Sequence, residues 1–218
     1  MRSKRLPVLF AALLMSSVAA PEPARAHPHV WIDARVAVDM TEDGTVTALK
    51  VTWRLDELYT QTVIAGMDQN ADGTYDPSEL HPLVEEAVQN LEEWSYFTDV
   101  RSGTTRVTAG TPETYRAYMD ADRLVYEFTL SLPDGTPPAG EDLRVRLFDP
   151  SYYISIALEK ARPVTLDQAP DACAYRIEPA PGFKESLLLS ESAFMQEAEP
   201  NTEGMGGTFA ETVVITCG

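Results

Sequence analysis

The densest set of metal-ligating side chains lies in twelve consecutive residues, Asp68-Gln69-Asn70-Ala71-Asp72-Gly73-Thr74-Tyr75-Asp76-Pro77-Ser78-Glu79. Oxygen ligands stand first, third and fifth (Asp68, Asn70, Asp72), a glycine sixth (Gly73), a carboxylate ninth (Asp76) and a glutamate twelfth (Glu79). That is the spacing of an EF-hand calcium loop, in which the seventh residue, Thr74, lends its backbone carbonyl. Calcium takes about six to eight hard oxygens, and a tightly curled loop is the way to supply them from consecutive residues. Gly73 permits the turn, Glu79 closes the shell with two oxygens, and Tyr75 packs beneath. The competing reading is an acidic, solvated turn.

A second constellation depends on where the mature chain begins. Arg2, Lys4 and Arg5 precede an apolar run from Leu6 to Ala20, and Ala24-Arg25-Ala26 offers small residues to a signal peptidase. Residues 1–26 therefore read as a signal peptide, with an exported chain of 27–218, periplasmic in a bacterium. The apolar run is too short for a confident membrane span, and no later one follows. Cleavage after Ala26 makes His27 the new N-terminus, so its α-amino group and imidazole can chelate one ion, with His29 adding a second imidazole. Nitrogen donors select Zn²⁺, Ni²⁺, Co²⁺ or Cu²⁺ over calcium. Pro28 has no N–H to give up, which excludes the square-planar chelate that uses deprotonated backbone amides. Strand alternation puts His29, Trp31 and Asp33 on one side, so Asp33 can ligate or orient His29. Asp149, in Asp149-Pro150-Ser151-Tyr152-Tyr153-Ile154, is a further ligand candidate if the strands are neighbours; the alternative is a turn followed by packed tyrosines. The rival to the whole site is a tail that happens to contain histidines.

The elements that must position these residues are mostly strands. Val30 to Met40 alternates, Glu42-Asp43-Gly44 is a hairpin turn, and Thr45 to Leu55 forms the second strand. The period then changes: a helix-loop-helix over about 56–93 holds the acidic loop, its second helix striped by Leu80, Leu83, Val84, Ala87, Val88 and Leu91. Strands are expected near 96–101, 104–109, 114–119, 122–132, 142–148, 152–158, 172–178 and 209–217; residues 183–197 read as a short helix or an irregular excursion. The fold class is α+β: a strand-dominated, β-sandwich-like single domain with an inserted EF-hand-like helix-loop-helix. Cys173 and Cys217 fit a disulfide in an oxidising compartment; no close C-x-x-C spacing supports a reactive pair.

Charge bounds the partners. The chain carries 17 basic and 34 acidic residues; the leader holds four of the former and one of the latter, leaving 13 and 33 and a net charge near −20 on residues 27–218. Such a chain repels nucleic acid and anionic membranes and attracts cations.

His27-Pro28-His29-Val30-Trp31-Ile32-Asp33 after a signal peptide, the calcium-like loop, and the Asp149 to Ile154 segment together resemble domain-of-unknown-function family 1007 across essentially all of residues 27–218. The resemblance implies a periplasmic component of an uncharacterised transport system, often encoded beside nickel/cobalt permeases, and hence an inner-membrane metal permease as partner. It carries no catalytic residues. The expected function is a periplasmic divalent-metal-binding accessory protein for nickel, cobalt, zinc or copper transport or homeostasis, with Ca²⁺ in the loop. The alternatives are a calcium-stabilised structural or interaction module and a histidine-brace copper oxygenase. The oxygenase fits less well, because His29 is close in sequence to His27 and His81 sits at a helix start. Gly-x-Ser-x-Gly and His-Glu-x-x-His motifs are missing from the sequence.

Overall fold

A computed structural model describes residues 28–137, 140–181, 199–200 and 202–218. The leader, His27 and the segment read as helix or excursion lie outside the described residues.

The alternating first strand, β1 (Val30–Met40), pairs antiparallel with β2 (Val46–Leu55) in the expected hairpin, with Val36 opposite Val51. Helices α1 (Glu57–Val63) and α2 (Pro77–Leu91) follow. The chain then returns to strands: β3 (Thr98–Ser102), β4 (Thr105–Val107), β5 (Tyr115–Asp120), β6 (Arg123–Ser131) and β7 (Leu143–Leu147). They continue as β8 (Ile154–Leu158), β9 (Val164–Asp167), β10 (Cys173–Glu178) and β11 (Thr212–Cys217).

Two sheets result. The first runs β5-β6-β2-β1-β8, with β9 also on β1; the second runs β10-β11-β7-β3-β4. β1 is paired along both edges, because β8 lies parallel to Val30–Ala34 and β9 parallel to Val36–Asp39. Alternation turns Val36, Val38, Leu49, Val51 and Leu130 of the first sheet, and Val100, Leu143, Val145, Val213 and Ile215 of the second, into one core. Trp53, Phe128 and Phe97 fill its centre, Trp53 meeting Phe128 edge-on at 4.9 Å. The stripe of α2 joins that core through Leu80, Val84 and Val88. Packing of this stripe fixes the helix whose first turn carries Glu79.

Three expectations are corrected. β9 was not expected: it is four residues long behind Pro163, too short to show a period. The strand expected from Tyr96 starts at Thr98, because Ser95, Tyr96 and Phe97 form a left-handed turn with φ of 52°, 54° and 51°. The entering helix stops at Val63, where Ile64 caps it and Gly66 takes φ +83°, so it ends short of Asp68. Cys173 and Cys217 are bonded, as directly opposed residues of β10 and β11.

Candidate functional site

The acidic loop is curled by its own hydrogen bonds. Asp68 accepts from the N–H of Asp72 (3.2 Å) and Gly73 (3.0 Å), Asn70 from Asp72 (2.9 Å), and Asp72 from Thr74 N–H (2.8 Å) and hydroxyl (2.7 Å). Gly73 adopts φ +82°, a conformation costly for a residue with a Cβ. The three side chains at loop positions one, three and five therefore turn inward over the same backbone. Hydrogen bonds from Thr74 hold the Asp72 carboxyl below the usual carboxylate range.

Glu79 joins the two ends of the loop. It lies in the first turn of α2 and accepts from Asp76 N–H at 3.0 Å, forming a capping box with Asp76 as N-cap. Its other oxygen reaches back to the N–H groups of Gln69 (2.9 Å) and Asn70 (3.3 Å). These three N–H groups, Asp76 first, lower the Glu79 pKa. Tyr75 packs against the core beneath.

The donors fit calcium in type and order, and the backbone is already bent around them. Among the described residues, however, no group of three or more His, Cys, Asp or Glu side chains is arranged to hold a metal ion. Glu79 Oε1 accepts from two N–H groups and must release at least one before the carboxylate can bind an ion with both oxygens.

The structure brings residues 29–33 and the Asp149 segment together. His29 N–H donates to the Tyr153 carbonyl at 2.8 Å, and the two rings lie 4.8 Å apart. Val30 is then in register with Ile154. Trp31, 51% exposed, and Tyr153, 48% exposed, stand on this edge. Asp56 locks the corner: it caps α1 through Tyr59 N–H (2.9 Å) and accepts from Trp31 N–H (3.0 Å). Burial, then the neighbouring Tyr153 and Asp56, raises the pKa of the Tyr59 phenol.

The two carboxylates proposed for that edge are engaged elsewhere. Asp33 is gripped by Arg123 Nη1 at 2.6 Å, and Arg123 also donates to the carbonyls of Leu55 (2.5 Å) and Arg54 (2.7 Å). Asp149, 4% exposed, accepts from Ser151 N–H (2.8 Å) and hydroxyl and from Ile154 N–H (2.9 Å). It is the organiser of the Asp-Pro-Ser-Tyr-Tyr turn, the alternative weighed for it above. Gly206 lies against this turn so closely that a Cβ there would overlap the Asp149 carbonyl. His81 stacks on Tyr115 at 5.5 Å, on β5. Sequence reasoning missed Arg123 and the second bond of Asp56, because Asp33 and Trp31 lie 90 and 25 residues away from them; the Asp56 cap on Tyr59 is local, an aspartate just before a helix.

Comparison with known proteins adds family but not activity. A family model described as "Protein of unknown function (DUF1007)" matches residues 12–217. An "Uncharacterized 15.5 kDa protein in trpE 3'region" of Spirochaeta aurantia is 26% identical over 134 residues, which are 59% of this chain and 93% of that protein.

Proposed function

The chain belongs to the DUF1007 family of proteins of unknown function, and on that premise we propose that it is an exported divalent-metal-binding accessory protein of transition-metal transport. In this reading Ca²⁺ occupies the EF-hand-like loop, with Asp68, Asn70, Asp72, Thr74, Asp76 and Glu79 as ligands, and braces the fold. A nickel, cobalt, zinc or copper ion is held by the N-terminal histidines, beside the place where His29 meets Tyr153, for an inner-membrane metal permease. The observation that carries this is the docking of His29 on Tyr153, which joins the chain's two most distinctive segments at one exposed place.

In this reading, with Asp33 paired to Arg123 and Asp149 serving a turn, the ion is taken by nitrogen donors: His29, His27 and the His27 α-amino group. The test is calorimetric titration of Ni²⁺, Co²⁺, Zn²⁺ and Cu²⁺ into protein beginning at His27. Binding at one site, lost in His27→Ala/His29→Ala, is expected. Equal affinity in that double variant defeats the transition-metal assignment and leaves calcium-stabilised module as the reading.

A further inference from the structure

We propose that the outer face of the second sheet, the one turned away from the core, binds a small organic polycarboxylate. Strand register places Arg101 directly opposite both Arg106 on β4 and Arg144 on β7, and Arg146 lies one row along, opposite Asp99 and Thr212. Arg176 of β10 stands beyond Val214 in the row of Arg144. Like charges directly across a ladder destabilise a sheet. Yet this chain, with a formal net charge of −17, gathers five arginines on one face.

A groove of about 430 Å³ is lined by Arg101, Arg144 and Arg146 together with Pro179, Pro181 and Ala210. The carboxylates now facing the arginines differ in how firmly they are held. Asp99, 3% exposed, is fixed beneath, 2.9 Å from Arg101 and 3.4 Å from Arg106. Glu178 pairs with Arg144 and, at 3.1 Å, with Arg176. Glu203 spans Arg101 and Arg146 at 3.4 and 3.1 Å with a side chain 56% exposed. Exposure separates it from Asp99, whose side chain, also paired with Arg101, is buried. An incoming carboxylate can therefore take the place of Glu203 across the same two guanidiniums.

Neighbouring strands are about 4.8 Å apart, so adjacent arginine forks present paired sites that suit carboxylates on one short carbon skeleton. The proline and alanine walls suit that skeleton better than they suit a bare phosphate. Nothing in this assignment uses the calcium loop or the histidine edge.

Calorimetric titration of the full exported chain with tricarballylate, and separately with inorganic phosphate, tests it. One tricarballylate per chain is expected, with a raised melting temperature. Arg101→Gln weakens that binding by about tenfold or more, the equivalent of about 1.4 kcal/mol. Arg116→Gln, which breaks a pair with Glu127 and a contact over the Tyr118 ring, both on the other sheet, leaves it unchanged. Glu203→Gln, a change at an exposed residue, tightens binding several-fold by removing the internal competitor, and it carries the test should Arg101→Gln unfold. The proposal is overturned by no saturable binding, by equal loss in Arg101→Gln and Arg116→Gln, by phosphate binding where tricarballylate does not, or by Glu203→Gln failing to tighten it.

Discussion

Glu79 serves the loop and the helix with one carboxylate, and its protonation state decides both. Three backbone N–H bonds hold its pKa below the ordinary value of 4.5. A carboxyl depressed in the folded state adds stability that is complete above its unfolded pKa and is lost as pH falls through the folded one. Glu79→Gln is therefore expected to lower the melting temperature at pH 6–7, and the gap to wild type should narrow progressively below about pH 4.5. The same variant should abolish or greatly weaken calcium binding by removing a bidentate ligand; calorimetry with Ca²⁺ showing undiminished affinity would remove Glu79 from the ligand set. Arg123 is the complementary case. Its guanidinium satisfies two carbonyls at the end of β2 and one carboxylate on β1, so Arg123→Ala is expected to cost about 2–4 kcal/mol in urea denaturation, with Lys restoring only part. The curl of the acidic loop was legible because its donors are consecutive residues around Gly73. The engagement of Asp33 was not, because its partner lies 90 residues away.

At the scale of elements, long periods were legible and short or irregular pieces were not. β1 spans Val30–Met40, the same residues whose alternation marks it in the sequence, and α2 buries Leu80, Val84 and Val88 of its expected stripe. β9 is held by parallel pairing to the free half of β1, an arrangement that no local pattern encodes. The left-handed turn Ser95–Phe97 has no sequence signature at all, since it lacks glycine. Core packing holds it: Phe97 lies 6.1 Å from Trp53, and Tyr96 6.3 Å from Phe128. Each non-glycine residue in this region costs about 1–2 kcal/mol. Ser95 is the half-buried member and donates its N–H to Glu92 O at 3.1 Å, a bond that glycine keeps. Measured against Ser95→Ala, which likewise removes the hydroxyl, Ser95→Gly should be more stable by about 0.5–1 kcal/mol, the backbone strain less the greater freedom of glycine in the unfolded chain. A urea midpoint below that of Ser95→Ala would mean that the strain at this position is smaller than the entropy glycine adds.

Across the whole molecule, the two-sheet architecture followed from the number and alternation of strands. The strand order did not, because β8 and β9 return to the first sheet while β7, β10 and β11 form the second. That order puts the Cys173–Cys217 bridge and the start of α1, which leads to the acidic loop, at opposite ends of β2. The Cys173–Cys217 bridge sits against Gly44, in the β1–β2 turn. The acidic loop follows α1, which begins just past Leu55, where β2 ends. Ten strand residues separate them, about 30 Å of extended chain. The bridge closes a 44-residue separation, which in the entropic model stabilises by up to about 4 kcal/mol. Calcium at a hundredfold excess over its Kd should add about 2.7 kcal/mol. Sites this far apart, with no shared partner, are expected to act additively. The calcium increment, measured by urea denaturation, should thus be the same within about 0.5 kcal/mol in wild type and in Cys173→Ala/Cys217→Ala, although the double variant is less stable throughout. An increment that shrinks by more than about 1 kcal/mol without the bridge would show that the sheets transmit order from one end of β2 to the other.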